Sequence, residues 1–136
     1  MDDLFLKIVR GEIPSAKVYE DEHTYAFLDI HPNNKGHVLV VPKQKFRNIF
    51  DLDRETFLAM AATAHMIARA LKESLGADGV NIVMNNEPAA GQEVFHAHMH
   101  IIPRFENDGV FGNLKKTSYA EGEINTFAEK IRTALG

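Results

Sequence analysis

Three histidines, His96, His98 and His100, stand at every second position of one short run. Residues two apart on a β-strand project to the same face, so this spacing places the three imidazoles side by side. Imidazole titrates near neutral pH and can act as a nucleophile, a proton donor or a metal ligand. The run therefore predicts a strand that carries chemistry on one face and ends at Pro103. The opposite, buried face would consist of Ala97, Met99 and Ile101.

Three interpretations of these histidines compete. They could be half-solvated polar residues on the wet face of a strand, although such faces usually carry threonine, lysine, glutamate and glutamine. They could ligate zinc, since two histidines separated by one residue on a strand can both reach the ion. They could also perform covalent catalysis, in which one imidazole attacks and its neighbours assist. The residues alone leave all three interpretations open.

The composition is that of an ordinary globular chain. Its 136 residues, 45% of them hydrophobic, suit one domain over residues 1–136 with a core of its own. The net charge of -4 argues against broad nucleic-acid binding, and the absence of cysteine excludes disulfides and thiolate metal sites. The acidic N-terminus lacks the features of a signal peptide, and no apolar run reaches membrane-spanning length. We therefore expect a cytoplasmic protein that binds neither nucleic acid nor membrane.

Capping residues and apolar periodicity predict one long helix. It begins after Asp53, a favourable N-cap residue, and ends before Gly76. Its apolar stripe consists of Phe57, Ala61, Ala64, Ala68, Leu71 and Leu75. Because alanine allows close approach, the stripe could be either a tightly packed core face or the seam of a dimer. Two shorter helices are predicted over residues 4–10 and 123–135.

Runs of β-forming residues predict strands over 24–28, 37–41 and 80–84 in addition to the histidine strand. A turn-rich segment over 32–36 joins the first two strands, and residues 85–92 form a loop directly before the histidines. Connections of this length favour an antiparallel sheet with its helices on one face. We therefore predict an α+β fold with about five strands, one long helix and short terminal helices.

The segment from Gly91 to Arg104 matches the histidine-triad signature, in which three histidines alternate with apolar residues. On this signature the chain resembles the HIT family, particularly its small bacterial Hint-like members. Three further blocks, 5–14, 26–30 and 36–43, resemble the family and occur in the family order. One alternating triplet could arise by chance, whereas four ordered blocks would not. The resemblance implies a HIT-like fold whose antiparallel sheet extends across a two-fold homodimer.

The resemblance also implies a nucleotide hydrolase or transferase. Such an enzyme cleaves at the α-phosphorus of a nucleoside phosphoramidate or a dinucleoside polyphosphate, with a purine nucleotide as substrate and no cofactor. By similarity, His98 is the nucleophile that forms a nucleotidyl-histidine intermediate, and His100 contacts the phosphate oxygens. His96 would hold His98 in the required tautomer through its main-chain carbonyl. His37 and Asn85 occupy the positions of supporting polar groups.

Further residues would bind the substrate by the same resemblance. Gln92 would touch the phosphate or the leaving group, and Asp29 would hydrogen-bond the ribose hydroxyls. From the residues alone, Asp29 could simply open the turn that follows it. Glu93 stands where eukaryotic Hint proteins have a serine near the leaving group, so its carboxyl group could alter leaving-group preference. The base pocket would be lined by Leu4, Phe5, Ile8, Phe27 and Ile30.

One departure from the family concerns zinc. Many bacterial relatives bind zinc through two cysteines, a histidine and the first triad histidine, and the first three positions correspond here to Asp3, Leu6 and Lys45. Leucine and lysine cannot replace those ligands. In addition, His96 and His100 would lie about 13 Å apart along a strand that rises roughly 3.3 Å per residue. We therefore expect no metal.

Two alternatives stand beside the metal-free enzyme. The protein could bind nucleotides as an interaction partner while turning over too slowly to matter, because a complete set of catalytic residues does not exclude such a role. The histidines could instead ligate zinc in a hydrolase, which a metal analysis would detect.

Overall fold

The computed structural model describes residues 3–112 and 114–136, so the first two residues of the acidic N-terminus lie outside the described residues. In chain order the elements are α1 (Leu4–Val9), β1 (Lys17–Glu20), β2 (Thr24–Leu28), β3 (Val38–Pro42), α2 (Arg54–Leu75), β4 (Gly79–Val83), a single 3₁₀ turn (Pro88–Ala90), β5 (Met99–Arg104) and α3 (Glu123–Leu135). The five strands form one antiparallel sheet in the order β1-β2-β3-β5-β4. The predicted α+β class is confirmed.

Helix α2 begins and ends where the capping residues predict. The Asp53 carboxylate accepts a hydrogen bond from the Thr56 N–H at 3.1 Å, which satisfies one of the free donors of the first turn. At the other end, Gly76 adopts a left-handed conformation with φ of 66° and stops the helix. Both signals are local in the chain, which is why the sequence alone located them.

The buried face of α2 differs from the predicted stripe. It consists of Met60, Thr63, Ala64, Ile67 and Leu71. The predicted stripe shares only part of this face and includes Leu75, which is exposed. Two neighbouring stripes of α2 are apolar, and periodicity cannot tell which of them the sheet covers. The burial of Ala64 favours its interpretation as a core residue.

Strand β5 is displaced from its predicted position. His96 and His98 precede it, and Pro103 lies inside it, paired with β4. The prediction that Pro103 ends the strand is wrong because its carbonyl points away from β4 and accepts a hydrogen bond from the Asn34 side chain at 2.9 Å. The proline nitrogen faces the same way, so the missing N–H costs β5 no ladder hydrogen bond.

Two apolar clusters lie on opposite faces of the sheet, each under a different helix, so the prediction that the helices share one face is wrong. The first lies under α2 and includes Ala26, Val38, Val40, Met99 and Ile101 from the strands. The second lies under α1 and consists of Phe5, Ile8, Tyr25, Phe27, Leu39 and Val41. Since side chains alternate along a strand, His37 and His100 project to the face that α1 covers. We call this surface the α1 face.

Strand β1 was not predicted, because three of its four residues are exposed and it lies at the sheet edge. Helix α3 has the predicted bounds, but its apolar side chains are not buried by the described chain. Ile124, Phe127, Ile131 and Leu135 are 46% to 81% exposed. Among the residues that the structure describes, no helix has both the length and the apolar content that crossing a membrane requires.

Candidate active site

The site lies on the α1 face, where β2, β3 and β5 run side by side. His100 in β5 is paired with Leu39 in β3, and His37 is the residue just before β3. Asp29 follows β2 and donates its backbone N–H to the His37 carbonyl at 2.9 Å. Strand pairing therefore brings together three polar side chains that are distant in the chain.

His98 is 7% exposed, and a main-chain hydrogen bond orients its ring. Its Nδ1 lies 2.7 Å from the carbonyl oxygen of His96. A carbonyl can only accept, so Nδ1 carries the hydrogen and Nε2 keeps the lone pair. Burial lowers the pKa of His98 below its usual value, although the hydrogen bond to His96 opposes this effect. His98 therefore presents a neutral ring with an available lone pair, as a nucleophile must.

Phe5 of α1 packs against the histidine rings. Its ring centroid lies 5.1 Å from that of His98 and 5.8 Å from that of His96, with both pairs in an edge-to-face arrangement. The rings of His98 and His100 lie 5.0 Å apart. These contacts hold the His98 ring from several sides and keep most of the ring away from water.

His96 is fully buried, and its Nε2 donates to the carbonyl of Pro42 at 2.9 Å. Burial lowers its pKa to about 4, so the ring is neutral near pH 7. Its Nδ1 therefore bears a lone pair, and this buried atom has no hydrogen-bond partner among the described residues. Such a lone pair could ligate a metal ion.

The residues at the zinc positions of bacterial relatives do not complete a metal site around His96. Leu6 has no ligand atom, and the ammonium group of Lys45 has no lone pair. One imidazole and the Asp3 carboxylate fall short of the four ligands of a structural zinc site. The chain therefore does not fit zinc at this position.

A second group of side chains surrounds His37, which is 2% exposed. Its Nε2 lies 3.0 Å from Nδ1 of His100 and 3.7 Å from the Asp29 carboxylate. Burial lowers the pKa of His37, and burial together with the neighbouring rings of His98 and His37 lowers the pKa of His100 to about 4. Within the described residues, Asp29, His37 and His100 are the one trio whose ligand atoms converge enough to hold a metal, all within 4.8 Å.

Gln92 is buried, and the protein uses its whole hydrogen-bonding capacity. Its Oε1 accepts from the Asn48 side chain at 3.1 Å and from the Glu87 N–H at 2.8 Å. Its Nε2 donates to the carbonyls of Arg47 at 2.7 Å and Val94 at 3.1 Å. The predicted contact of Gln92 with phosphate would therefore require one of these bonds to break.

The sequence did not indicate the partners of Gln92. Arg47 forms a bidentate ion pair with Glu87, at 2.7 Å and 3.1 Å, and its guanidinium stacks over the Phe95 ring. Asn48, which is buried, donates to the same Glu87 carboxylate at 2.8 Å. Arg47, Asn48, Glu87 and Gln92 form the loop clasp, which joins the loop after β3 to the loop before β5. No spacing rule links these residues, so sequence reasoning could not find them.

The remaining predicted residues divide between core and surface. Phe5, Ile8 and Phe27 belong to the apolar cluster of the α1 face, and Leu4 packs against it. Ile30, in contrast, is 85% exposed and lies outside that cluster. Asn85 is partly buried beside Gly91, and Glu93 is exposed. Their roles in substrate binding stay predictions.

The fold and the site define an α+β protein in which a neutral histidine, oriented by a main-chain carbonyl, contacts a second histidine on the α1 face. The family model of the HIT domain matches residues 10–107. This match covers more than half of the chain, and the chain belongs to the HIT family.

Relatives agree with this assignment. Protein hit of Bacillus subtilis (strain 168) is 47% identical over 135 residues, which cover 97% of this chain and 93% of the relative. Adenylylsulfatase HINT3 of Arabidopsis thaliana is 40% identical over 107 residues, which cover 79% of this chain and 54% of the relative. A crystal structure of a Streptococcus mutans UA159 protein superposes with a TM-score of 0.92 at 44% identity and covers 100% of this chain and 87% of that one. The HIT fold is therefore confirmed, and the family includes a named enzyme.

Proposed function

We propose that this protein is a nucleotide hydrolase or transferase that acts at the α-phosphorus of nucleoside phosphoramidates or dinucleoside polyphosphates. The observation that carries the proposal is the 2.7 Å hydrogen bond between His98 Nδ1 and the His96 carbonyl. This bond leaves the Nε2 lone pair of a buried, neutral imidazole ready to attack. The enzyme relative named above supports nucleotide chemistry in the family.

The reaction proceeds in two steps. His98 Nε2 attacks the α-phosphorus and the bond to the leaving nitrogen or oxygen breaks. The leaving group takes the electron pair of that bond together with a proton from solvent. The ring of the nucleotidyl-histidine is cationic, and the His96 carbonyl stabilises it by accepting the Nδ1 hydrogen. Water then attacks the same phosphorus, the bond between phosphorus and Nε2 breaks with its electron pair returning to Nε2, and the attacking water loses a proton to solvent. His100 donates a hydrogen bond to the phosphoryl oxygens as their charge increases.

We further propose that Asp29 recognises the ribose. Its Oδ1 accepts the backbone N–H of His31 at 2.9 Å, so the carboxylate does open the turn that follows β2. Its Oδ2 lies 3.7 Å from His37 and can accept from a ribose hydroxyl. The base would lie against the apolar cluster that includes Phe5, Ile8 and Phe27.

The test compares two substrate classes directly. Purified protein is incubated with adenosine phosphoramidate and, separately, with diadenosine polyphosphates, and the release of adenosine monophosphate is followed. Rapid acid quenching and peptide mass spectrometry should find a nucleotidyl group on His98. Nucleotide binding without adenosine monophosphate release and without the adduct would contradict the proposed enzymatic activity and favour the interaction-protein alternative.

We also propose a two-fold homodimer. Strand β4 is at the sheet edge, where its outer backbone groups can pair with another strand, and Ile82 on it is 53% exposed. Helix α2, which packs against β4, exposes the apolar side chains of Leu58 and Met66. Helix α3 adds a further exposed apolar face. A sheet edge that is free to pair, beside exposed apolar side chains, supports an interface at this surface.

A further inference from the structure

Both ring nitrogens of His37 are within hydrogen-bond distance of a partner. Nδ1 lies 3.1 Å from the backbone nitrogen of Asn33, and Nε2 lies 3.0 Å from Nδ1 of His100. A backbone N–H can only donate, so His37 Nδ1 must accept. A neutral imidazole carries one hydrogen, which His37 must therefore carry on Nε2.

The same reasoning extends to His100. The Nε2 hydrogen of His37 is directed at Nδ1 of His100, which must accept it and therefore holds no hydrogen. The one hydrogen of the neutral His100 ring is then on Nε2. We infer that the Asn33 N–H and His37 form a relay that fixes the tautomer of His100 and makes His100 Nε2 a hydrogen-bond donor in the active site. His37 is thus a positioning residue.

The relay matters because these rings are uncharged at neutral pH. Burial lowers the pKa of both His37 and His100, so neither ring carries two hydrogens near pH 7. The tautomer then decides whether His100 Nε2 offers a hydrogen or a lone pair. A lone pair would repel a phosphoryl oxygen, whereas an N–H stabilises it. This consequence for catalysis rests on the proposed function.

The donor at the start of the relay is held by the turn before β3. The Asn34 side chain donates to the Pro103 carbonyl and to the Asp108 carboxylate, both at 2.9 Å. The carbonyl of Asn34 accepts the backbone N–H of His37 at 3.0 Å. The Asn33 N–H is therefore fixed relative to the end of β5, the strand that carries His100.

The relay also opposes metal binding by the trio of Asp29, His37 and His100. A metal would need lone pairs on His37 Nε2 and His100 Nδ1 at the same time. Moving the hydrogen of His37 to Nδ1 would direct it at the Asn33 N–H and break that hydrogen bond. Hydrogen bonding to Asn33 and ligation of a metal are thus mutually exclusive at His37.

The first arm of the test reads the tautomers directly. Two-dimensional ¹H–¹⁵N spectra of the imidazole rings, recorded at pH 7 on the metal-free protein, distinguish protonated from unprotonated ring nitrogens. We expect hydrogen on Nε2 of His37 and of His100. Hydrogen on Nδ1 of His100 in the wild-type protein would overturn the inference. This arm needs no variant and no turnover.

The second arm uses His37→Leu, which removes the donor, and His37→Gln, which keeps an N–H within reach of His100. We expect both tautomers of His100 in the leucine variant, while the tautomer of His96, held by Pro42, stays unchanged as an internal control. We expect kcat to fall by about 10-fold to 100-fold with little change in KM, since a donor to the transition state is weakened. His37→Gln should restore part of kcat, and His23→Leu, in the turn between β1 and β2, should leave kcat unchanged.

The two arms separate this inference from the proposed function. If no nucleotide is hydrolysed, the wild-type spectra still decide the tautomer. If a folded His37→Leu protein keeps the wild-type tautomer of His100, the relay is wrong even though hydrolysis continues.

Discussion

Main-chain groups place the hydrogen on the imidazoles of His96 and His98. The Pro42 carbonyl lies 2.9 Å from His96 Nε2, and the His96 carbonyl lies 2.7 Å from His98 Nδ1. Main-chain groups are strong hydrogen-bonding partners whose positions the fold determines. The chemistry of these side chains therefore depends on strand and turn geometry as much as on residue type.

At the residue scale, we predict that His98 carries the covalent step. His98→Asn should lower turnover by at least about 1,000-fold while leaving nucleotide affinity largely intact, because the nucleophile itself is removed. Replacement of His100 should have a smaller effect, since in the proposed mechanism His100 supplies a hydrogen bond and not the attacking nitrogen. Steady-state kinetics and equilibrium nucleotide binding measure the two quantities.

The control for this prediction is His23→Asn, in the turn between β1 and β2, which should keep full activity. Substantial turnover by the His98→Asn protein would assign the attack to another group.

Buried neutral histidines also predict how stability depends on pH. The pKa values of His96 and His100 are about 4 in the folded chain, below the value of about 6.5 for a free imidazole. The unfolded chain therefore binds protons at pH values where the folded chain does not. The free energy of unfolding is therefore unaffected by these rings above about pH 6.5. It decreases as the pH falls toward about 4, by roughly 3 kcal/mol for each ring.

Urea unfolding between pH 7 and pH 5 checks this expectation, because most carboxylates stay ionised over that range. The free energy of unfolding should decrease steadily as the pH falls. A constant value would mean that these histidines titrate as they do in the unfolded chain.

At the element scale, the loop clasp holds the segment that leads into the histidine strand. Gln92→Leu would remove the acceptor of the Glu87 N–H and one of the two acceptors of the Asn48 amide, and each such loss costs about 1–3 kcal/mol. Arg47→Ala breaks a half-exposed ion pair and should cost less than about 1 kcal/mol. Thermal unfolding of the two variants should therefore show the larger decrease in Tm for Gln92→Leu.

Gln44→Leu is the matched control, since Gln44 is exposed. A Gln92→Leu protein with wild-type Tm but lowered affinity for phosphate-containing ligands would contradict a stabilising role of Gln92 in the loop clasp. It would favour direct contact between Gln92 and phosphate.

At the scale of the whole molecule, we predict that the β4 edge and the exposed side of α2 form the dimer interface. Ile82→Lys places a charge on this apolar surface and should yield monomers, because burying an unpaired ammonium group is costly. Val18→Lys, at the opposite edge in β1 and similarly exposed, should leave the dimer intact. Sedimentation at micromolar concentration distinguishes the two. A wild-type protein that sediments as a monomer would rule the dimer out.

The whole molecule should also work without metal. The lone pair of His96 lacks further ligands, and the hydrogen bond from Asn33 occupies Nδ1 of His37. We expect no stoichiometric zinc by elemental analysis and unchanged hydrolysis in the presence of EDTA. One zinc per chain, with activity lost on chelation and restored by zinc, would instead favour the zinc-hydrolase alternative.

Elements whose signals are local in the chain were predictable. Helix α2 follows from Asp53 and Gly76, and the strands β2, β3 and β4 follow from apolar β-forming runs. Strand β1 was missed because its exposed residues carry no apolar alternation. The position of Pro103 within β5 was not predictable, since it depends on which neighbour its backbone faces.

The sequence by itself determined the residues available for chemistry, namely the alternating histidines, and the family to which the chain belongs. Only the tertiary structure decided which atoms of those residues can act. The tautomers of His98 and His100 depend on the His96 carbonyl, on the Asn33 N–H and on the contact between His37 and His100. The last of these joins residues 63 positions apart, and periodicity contains no information about such contacts. Residue spacing reports which face a side chain occupies, whereas hydrogen bonds across the sheet determine which nitrogen carries the proton.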